Sequence, residues 1–468
     1  MKDDIALKSL TVLLPVHVFF PSHFYGTETY TLELATQLMT MGHRPVVLTA
    51  TPFGEKGAGE LRSLYRYKDV PVHCIDLNLL PHRRFKDTYY RPELADLLRT
   101  VITEIQPDIA HVTHLINHTA VLLEVLRNIP IPVVATLTDF FGICLNNKLD
   151  RYDGILCRGP DRLSVNCLAC YLKAGGINPI KKYSAAIAGR RPGLLRLMAF
   201  SLFVMTRLPG FRRGRLAGHV CDVTHRQRTL HRLYDTYRTM IAPTDFLYEA
   251  YSQNGFYPDR LRKINFGIDL SRISPSVAPR VKTDNHVRFG YIGQIARHKG
   301  TDLLIEAFRR LPGNRGSLII YGPADQDPSY MEELMSMSAG DGRIEFRGTF
   351  PSAELIDRLS EMDCLVIPSR WYENSPLVLL YALATHTPVV VTDVKGMSEF
   401  VVNDVNGYTF KKDSVESLRF VMEKIVRDPG VIKRLSAKAC YTKDVSDHAA
   451  EVLDIYNTIL SPSADGAD

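Results

Sequence analysis

Short apolar runs alternate with helix-period stretches along most of the chain, and this alternation constrains the fold more than any other feature. In the first half the runs occupy residues 10–15, 45–50, 71–76, 108–113 and 132–137. In the second half they occupy residues 287–293, 317–322, 343–347, 363–368 and 388–392. Helical patterns lie between them, for example at Thr29–Met41, Pro92–Glu104 and Asp302–Arg310. Strands that are apolar throughout and separated by helices indicate parallel sheets covered on both faces.

The two series of runs predict an α/β protein with two doubly wound, Rossmann-like domains that face a ligand cleft. A length of 468 residues fits two large domains. We expect an N-terminal domain over 1–270, with a Cys-rich loop and basic helical insertion at 142–240, and a C-terminal domain over 271–445. We expect a helix at 446–460 to return to the N-terminal domain, and residues 461–468 to form a disordered tail.

The composition excludes several classes of protein. With 45% hydrophobic and 23% charged residues, the chain is neither collagen, a low-complexity chain nor a disulfide miniprotein. No apolar run approaches the roughly 18–20 residues that span a bilayer, and residues 1–10 lack an apolar signal core. We therefore expect a cytoplasmic location, where the eight cysteines are thiols or metal ligands rather than disulfides.

Positive charge is concentrated in one segment. Residues 181–240 contain 13 lysines and arginines but only two acids, Asp222 and Asp235, although the whole chain carries a formal charge of only +6. The apolar segment Leu194–Met205 lies within this stretch. Such a segment packs into its own domain, forms a dimer contact, or lies on the inner face of the plasma membrane with its cations on lipid phosphates. Binding to another polyanion is a further alternative. Nucleic acid is disfavoured as a partner because no recognised nucleic-acid motif accompanies the charge.

Four of the eight cysteines fall within 27 residues, at Cys144, Cys157, Cys167 and Cys170. Four thiolates at this spacing can complete a tetrahedral zinc site, which would cross-link the loop 142–166. We expect such a zinc to be structural, because four protein ligands leave no open coordination position. Free thiols, oxidised pairs and an iron–sulfur cluster are the alternatives.

The most informative motif lies where a late apolar run passes through a polar loop into a helix. Ser375 suits the N-cap and Pro376 the first helical position, since proline lacks the N–H that would be unpaired there. The amides of Leu377 and Val378, with the helix dipole, then form an anion site. Glu373 precedes them and is placed to accept hydrogen bonds from hydroxyls of the same ligand. A plain strand-to-helix turn with a solvated glutamate is the alternative interpretation.

Two glycine-bearing turns are further candidates for a phosphate site. Gly293 ends an apolar run and allows close backbone approach, and Lys299 can place a point charge on a phosphate. Gly26 lies between the first run and a helix predicted to begin near Thr29, whose N-terminus is again an anion site. Either turn alone is common in structural strand–loop–helix connections.

Taken in their order along the chain, the stretches around Gly26, Gly293 and Ser375 resemble retaining glycosyltransferases of family 4, which have the GT-B fold. The resemblance covers roughly residues 10–150 and 240–440, and it includes GTE at 26–28, PDIAHVTH at 107–114, IGQIARHKG at 292–300, RWYENSPLVLLYA at 370–382 and TDVKGMSEFV at 392–401. It implies an enzyme of bacterial cell-surface polysaccharide synthesis that binds a UDP- or GDP-sugar mainly on the C-terminal domain. A glycan or lipid-linked acceptor would bind mainly on the N-terminal domain, and transfer would retain the anomeric configuration without an obligatory metal.

The resemblance also implies roles for individual residues. Glu373 would face the donor sugar, Lys299 the diphosphate, and Asp139 would orient the acceptor or the sugar. The donor-binding residues would be Gly26, Gly293, Gln294, Lys299, Glu373, Asn374, Ser375, Pro376, Leu377, Val378 and Tyr381. The acceptor side would contain Thr138, His111 and His114, although a histidine on a buried strand is also commonly a packing residue. Fixed donors and a cation aimed at the departing diphosphate are the expected catalytic device, and no protein nucleophile is required.

Four positions depart from the family's pattern. Tyr381 stands where a second glutamate often holds the nucleotide ribose, and Gln294 stands where an arginine often contacts the diphosphate. Tyr25 takes the place of a glycine, and Thr138 the place of a histidine at a strand end. These departures leave two alternatives open: a catalytically silent GT-B protein that binds nucleotide or glycan as a scaffold, and a sugar-nucleotide epimerase of the same fold.

Overall fold

The computed structural model describes residues 9–177, 191–280, 284–313 and 315–461. The predictions that rest on residues 1–8 and 462–468 lie outside this range, as do Lys181, Lys182 and Arg190 of the basic segment. The chain forms two units, which we call the N-terminal unit and the C-terminal unit. The N-terminal unit runs to Asn265 and resumes at His448, and the C-terminal unit runs from Phe266 to Asp447.

An eight-stranded sheet forms the centre of the N-terminal unit. Its strands are β1 (Thr11–Pro15), β2 (Arg44–Thr51), β3 (Arg62–Tyr67), β4 (Val70–Asp76), β5 (Ile109–Val112), β6 (Val133–Thr136), β7 (Thr239–Ala242) and β8 (Leu261–Lys263). The strand order is β3-β4-β2-β1-β5-β6-β7-β8. All neighbours are parallel except β3 and β4, which are antiparallel. The order reverses at β1, so the carboxyl ends of β1 and β5 mark a topological switch point.

The helices of this unit are α1 (Gly26–Thr40), α2 (Ala95–Ile105), α3 (Val121–Arg127), α4 (Val165–Lys173), α5 (Pro192–Met205), α6 (Arg215–Tyr234) and α7 (Asp245–Gln253). Local chemistry explains where α1 ends. Gly42 adopts a left-handed conformation with φ of 86°, and the His43 amide then donates to the Leu38 carbonyl. This pairing satisfies a carbonyl of the last helical turn and directs the chain into β2.

The C-terminal unit contains a six-stranded sheet. Its strands are β9 (Val287–Ile292), β10 (Gly316–Tyr321), β11 (Ile344–Gly348), β12 (Cys364–Ile367), β13 (Val389–Thr392) and β14 (Gly407–Phe410), in the order β11-β10-β9-β12-β13-β14. All neighbouring strands are parallel. The helices are α8 (Thr301–Arg309), α9 (Pro328–Ser338), α10 (Leu355–Ser360), α11 (Leu377–Ala384), α12 (Val415–Arg427) and α13 (Gly430–Ser436). Two doubly wound α/β units, as predicted, are therefore confirmed.

The boundary between the units lies at residue 265, five residues before the predicted one. The segment after Phe266 belongs to the C-terminal unit because the Ile268 amide donates to the Lys443 carbonyl and the Val445 amide returns to the Ile268 carbonyl. The last helix, α14 (Val445–Leu460), packs on the N-terminal unit from His448 onward. A hydrogen bond of 2.6 Å joins the Tyr456 hydroxyl to Nδ1 of His111 on β5.

Helix α5 lies within the predicted insertion and shows two different faces. Leu195, Ala199 and Phe203 are buried in a small core that also contains Leu168 and Leu172 of α4. The opposite face and the turn after it expose an apolar stripe formed by Leu194, Leu197, Phe200, Val204, Leu208 and Phe211. No helix in the described ranges is long and apolar enough to cross a bilayer.

Candidate functional site

Lys299 and Glu373 form an ion pair in the C-terminal unit, with 2.7 Å between Nζ and Oε1. Lys299 ends a single 3-10 turn, Arg297–Lys299, that follows β9, and Glu373 follows β12. Because β9 and β12 are parallel neighbours, their carboxyl ends meet at one edge of the sheet. The fold therefore brings together the two residues on which the predicted donor site depends.

Gly300 permits this approach of the two loops. Its φ is +74°, and a Cβ atom there would lie 2.1 Å from the Pro368 carbonyl oxygen. A larger residue would meet both a disfavoured backbone conformation and a direct clash. The turn that presents Lys299 thus requires glycine at the next position.

Glu373 is held as a carboxylate although it is only 8% exposed. Burial alone would raise the pKa of Glu373, but the Lys299 charge and hydrogen bonds to the same carboxylate lower it overall. The Ser369 hydroxyl and the Trp371 indole N–H both donate to Oε1, the latter at 2.8 Å. The Lys299 ammonium also lies 5.2 Å from the Trp371 ring centroid. The result is a fixed negative charge beside a fixed positive one.

The N-terminus of α11 differs from the prediction by one residue. The helix begins at Leu377 with Pro376 as its N-cap, and Ser375 is left-handed with φ of 51°. The Ser375 amide donates to the Gly396 carbonyl at 3.0 Å, so this amide does not add to the predicted anion site of Leu377 and Val378. Proline has no N–H to contribute.

The remaining hydrogen-bond donors at the N-terminus of α11 still suit an anion. The amides of Leu377 and Val378 donate to no acceptor among the described residues. The Ser375 hydroxyl is buried and likewise has no hydrogen-bond partner within the described part of the chain. Asn374 lies next to it in the same loop. Orphan donors at a helix N-terminus attract negative charge, because the helix dipole adds to them.

Three other predicted donor residues have mostly internal roles. Tyr381 is only 2% exposed, and its hydroxyl accepts hydrogen bonds from the Asp269 amide at 3.2 Å and the Arg272 guanidinium at 3.5 Å. The structure therefore does not support a ribose contact by Tyr381. The Gln294 carbonyl accepts a hydrogen bond from the Tyr291 hydroxyl, which leaves its half-buried side chain available. The Gly293 amide pairs with the Tyr321 carbonyl, so Gly293 extends the ladder beyond β9.

A second group of polar residues lies in the N-terminal unit. Gly26 is the first residue of α1 and is exposed, and a Cβ there would meet no described atom within 4 Å. Glu28 in the same helical turn is only 1% exposed, and its Oε1 lies 3.3 Å from Nε2 of His17. The sequence motifs did not indicate either His17 or Glu28 as a site residue.

The predicted residues His114 and Asp139 join this group. Nε2 of His114 lies 3.0 Å from Oδ2 of Asp139, without hydrogen-bond geometry, since Oδ2 has no hydrogen-bond partner within the described part of the chain. Nδ1 of His114 accepts the Ile116 amide. The His17 and His114 ring centroids are 4.1 Å apart. We call His17, Glu28, His114 and Asp139 the histidine–carboxylate cluster.

Burial controls protonation within this cluster. The pKa of His17 is well below its ordinary value, first because of burial and then because of the neighbouring His114. The pKa of the Glu28 carboxyl is raised, again mainly by burial. Both shifts favour the uncharged forms of His17 and Glu28, so burial works against charge on these two members of the cluster.

The remaining residues predicted on the acceptor side point into the protein. His111 bonds to the Tyr456 hydroxyl through Nδ1 and to the Thr136 hydroxyl at 2.8 Å through Nε2. Burial lowers the pKa of His111 to about 3. The Thr138 hydroxyl donates to the Thr113 carbonyl at 2.6 Å. His111 therefore joins strands to the last helix, and the Thr138 hydroxyl proton is used in the bond to the Thr113 carbonyl.

The four clustered cysteines do not form a ready metal site. The described residues contain no group of three or more His, Cys, Asp or Glu side chains arranged to hold a metal ion. The Cys144 thiol donates to Asn146 Oδ1 at 2.7 Å and the Cys157 thiol to the Gly159 carbonyl at 3.3 Å. Burial raises the pKa of the Cys170 thiol to about 12, which favours protonated thiols. The geometry thus lends no support to the predicted zinc.

Two family models match the chain. Residues 277–440 match the model described as "Glycosyl transferases group 1". Residues 24–156 match the model described as "Glycosyltransferase Family 4". The first range contains the Lys299–Glu373 pair and the start of α11, and the second contains the cluster residues Glu28, His114 and Asp139.

Curated relatives match over part of their length. An uncharacterized glycosyltransferase of Methanocaldococcus jannaschii is 30% identical over 176 residues, which is 36% of this chain and 44% of that protein. A D-inositol 3-phosphate glycosyltransferase of Xylanimonas cellulosilytica is 27% identical over 215 residues, 42% of this chain and 51% of the relative. The chain thus matches about half the length of these relatives.

A solved structure matches over nearly the whole chain. Anabaena HepE, crystallised with UDP and glucose, aligns with a TM-score of 0.61 at 16% identity, covering 96% of this chain and all of that one. At this identity the likeness concerns the fold, and the fold shared with such neighbours is the GT-B arrangement of two Rossmann-like domains.

Proposed function

Since the chain carries a glycosyl transferases group 1 domain and a glycosyltransferase family 4 domain, we propose that it is a glycosyltransferase using a nucleoside diphosphate sugar. It transfers the sugar to a glycan or lipid-linked acceptor with retention of anomeric configuration, in the synthesis of a cell-surface polysaccharide or glycolipid. The observation that carries the proposal is the Lys299–Glu373 pair beside the orphan amides of α11. The UDP bound to HepE supports a UDP-sugar as the first donor to test.

In the proposed mechanism, the C-terminal unit stabilises the departing diphosphate. The ammonium of Lys299, the amides of Leu377 and Val378 and the hydroxyl of Ser375 are fixed donors that meet negative charge as it develops. Glu373 accepts hydrogen bonds from hydroxyls of the donor sugar, for which its lowered pKa keeps it ionised at neutral pH. These groups need little reorganisation, because the ion pair and the turn already hold them.

The acceptor is assigned to the N-terminal unit. The His114–Asp139 pair provides a carboxylate whose other oxygen, Oδ1, accepts the Phe141 amide. A hydroxyl nucleophile that approaches this pair can donate a hydrogen bond to the Asp139 carboxylate. A hydrogen-bond acceptor on this side, and a cation with orphan amides on the donor side, match a hydroxyl and a diphosphate respectively.

A panel of UDP-, GDP-, ADP- and dTDP-sugars tests the donor assignment. We expect one nucleotide series to raise the melting temperature of the full chain, since a ligand that binds only the folded state stabilises it. The same series should then support transfer to a glycan or lipid-linked acceptor. If no nucleotide sugar stabilises the protein or is consumed, the assignment of a donor site to Lys299 and Glu373 is wrong.

One observation favours a catalytically silent protein as a second candidate. Tyr381 replaces the glutamate expected to hold the ribose, and its hydroxyl already accepts the Asp269 amide. A nucleotide would then lack a contact that family members commonly provide. Stabilisation by a nucleotide sugar without turnover, across lipid-linked and soluble acceptors, would favour a scaffold that binds the nucleotide.

We infer further that α5 attaches the protein to an anionic membrane surface. The exposed apolar stripe of α5 is flanked by Arg191, Arg196, Arg207, Arg212 and Arg213, all exposed. A helix with an apolar face and adjacent cations lies in a lipid interface, where the cations meet phosphates. Flotation with phosphatidylglycerol vesicles at low salt should carry the protein upward, and absence of binding would overturn this attachment.

A further inference from the structure

A large groove lies along α6 in the N-terminal unit, and no residue of the histidine–carboxylate cluster lines it. Its volume is about 1230 Å³. The walls come from one side of α6, the segment 160–164, the 3-10 turn Phe85–Thr88 and the end of α7. Five cations line it, namely Arg84, Lys86, Arg162, Arg228 and Arg232.

The two acids in the groove are already engaged. Asp222 receives the Arg84 guanidinium, with 2.7 Å between Nε and Oδ2, and also the Lys86 amide at 3.2 Å. Asp161 accepts the amides of Val165 and Asn166 at the start of α4. Neither carboxylate therefore neutralises the remaining cations.

Four cations keep an uncompensated charge. Within the described ranges, no carboxylate lies within 4.0 Å of a side-chain nitrogen of Lys86, Arg162, Arg228 or Arg232. The Lys86 ammonium instead lies 4.7 Å from the Tyr90 ring centroid. A concave surface with several unpaired cations attracts a ligand with more than one negative charge, and the planar guanidinium binds phosphate with two parallel hydrogen bonds.

An apolar groove adjoins the cationic one. Asp161 and Arg162 line both, and the second groove, of about 470 Å³, continues along Leu163, Leu197 and Phe200. Leu197 and Phe200 belong to the exposed stripe of α5. Beyond Asp161 and Arg162 this groove is lined by apolar side chains and a glycine, apart from Arg196, which pairs with Asp161 at 3.7 Å. Hydrocarbon-binding chemistry therefore lies directly beside phosphate-binding chemistry.

We propose that the two adjoining grooves form one site for a phosphate-bearing lipid. The phosphomonoester or diphosphate headgroup lies against Arg162, Arg228 and Arg232, and the hydrocarbon chain lies along Leu197 and Phe200. This assignment rests on the proposed membrane attachment of α5 and deepens it, because it names the lipid class that the attachment selects. A phosphate with two charges and an exposed apolar tail matches both grooves, whereas a phosphodiester headgroup with one charge leaves cations unpaired.

Vesicle binding of the full chain tests the site. We compare dioleoyl phosphatidate with dioleoyl phosphatidylglycerol in phosphatidylcholine vesicles of matched surface charge. The wild type should prefer phosphatidate by about tenfold, the effect of one or two charge-assisted hydrogen bonds. The double variant Arg228→Ala/Arg232→Ala should lose this preference and bind both vesicles equally.

The double variant Arg212→Ala/Arg213→Ala is the matched control, because it removes the same charge from exposed positions that do not line the groove. It should weaken binding to both vesicles and keep the preference. Equal binding of the two vesicles by the wild type would overturn the lipid site while leaving membrane attachment itself intact. Loss of the preference in the control variant would also overturn it.

A further experiment, with inorganic pyrophosphate in solution, distinguishes a lipid headgroup from a free phosphate as the ligand. Leu197→Ser/Phe200→Ser changes only exposed apolar positions, and it should abolish the preference for phosphatidate vesicles while leaving any binding of inorganic pyrophosphate unchanged. If this variant keeps the vesicle preference, the apolar groove holds no hydrocarbon chain and the proposed two-groove lipid site is wrong. None of these measurements needs a donor sugar, so they stand apart from the test of glycosyl transfer.

Discussion

The two polar sites of this protein respond to burial in opposite ways. In the C-terminal unit, Glu373 is buried yet ionised, because Lys299 and two hydrogen-bond donors converge on one of its oxygens. In the histidine–carboxylate cluster, burial raises the pKa of Glu28 and lowers the pKa of His17. The difference shows that a fixed opposite charge and converging hydrogen-bond donors, rather than depth, decide whether a buried carboxyl group carries charge.

The two units therefore suit ligands of different charge. A fixed ion pair and orphan amides prepare the C-terminal unit for a diphosphate, which is a strong anion. In the N-terminal unit, burial favours the uncharged forms of His17 and Glu28, and the Asp139 carboxylate is an acceptor for neutral hydroxyls. The proposed division into donor and acceptor sides follows from this contrast, and each prediction below tests one side of it against the other.

Acidification should produce the largest difference in stability between the two units. Burial lowers the pKa of His111 to about 3 and of His118 to about 4, whereas an unfolded histidine titrates near about 6.5. A depressed pKa means that the unfolded state binds more protons below pH ~6.5, so the stability present above that pH is lost as the pH falls. Between pH 7 and 5 each histidine should cost about 2 kcal/mol of unfolding free energy in the N-terminal unit.

Amide hydrogen exchange, corrected for intrinsic rates, measures this loss in each unit. Protection of β5 and β6 should fall between pH 7 and 5, while that of β9 and β12 changes little, because the depressed carboxylate pKa of Glu373 becomes relevant only at lower pH. His118→Gln serves as the comparison variant, and its N-terminal unit should depend less steeply on pH. Equal loss of protection in both units would contradict the predicted difference in pH dependence between them.

Removing the charge of Glu373 should affect turnover most. Glu373→Gln keeps the volume of the side chain but leaves Lys299 without its counter-charge, and we expect at least a ~100-fold fall in kcat with the true donor. Glu333→Gln is the matched control, since Glu333 forms an ion pair with Arg297 on the surface at 2.7 Å. Unchanged transfer by Glu373→Gln would remove this residue from the site.

Asp139→Asn should show a smaller effect on the acceptor side. The amide can still face His114, but it no longer places a negative charge 3.0 Å from Nε2 of that ring. We expect kcat/KM for the acceptor to fall by about tenfold, the effect of weakening one charge-assisted hydrogen bond between the carboxylate and an acceptor hydroxyl, with the donor KM unchanged. A rise in the donor KM instead would mean that the cluster contributes to donor binding.

Ser375→Ala should have the smallest effect. The buried hydroxyl of Ser375 has no partner among the described residues, so its loss should leave the melting temperature unchanged or slightly higher. Nucleotide affinity should fall by about 0.5–1.5 kcal/mol if the hydroxyl donates to a phosphate. Calorimetric titration measures both affinity and stoichiometry, and unchanged affinity would exclude the hydroxyl from the anion site.

Apolar runs predicted the fold because parallel strands covered on both faces are apolar throughout. All ten predicted runs correspond to strands of the two sheets. The pattern missed β3, β7, β8 and β14. The alternating polar sequence of β3, RSLYRY, suits a half-exposed antiparallel strand at the sheet edge, and β8 has three residues, two of them exposed. Short or edge strands carry too little apolar signal to stand out.

Site residues were predictable where a local motif and the strand-end rule agreed. Lys299 and Glu373 lie after neighbouring strands, and local motifs with the family resemblance indicated both as donor-site residues, but their direct ion pair was not predicted. His17 follows β1 by two residues and could have been found by the same rule, but no motif marks it. Tyr381 and His111 could not be assigned from sequence, because their hydrogen bonds join residues that are distant along the chain.

The most direct test of the central claim compares nucleotide and nucleoside binding to the wild type and to Lys299→Ala. For the base that the donor panel selects, the wild type should bind the nucleoside diphosphate far more tightly than the nucleoside. Lys299→Ala should lose about 1.5–3 kcal/mol of binding to the diphosphate, the contribution of one charge-assisted hydrogen bond, and little of the binding to the nucleoside. If Lys299→Ala binds the diphosphate as tightly as the wild type does, the C-terminal unit does not hold its donor through the Lys299–Glu373 site.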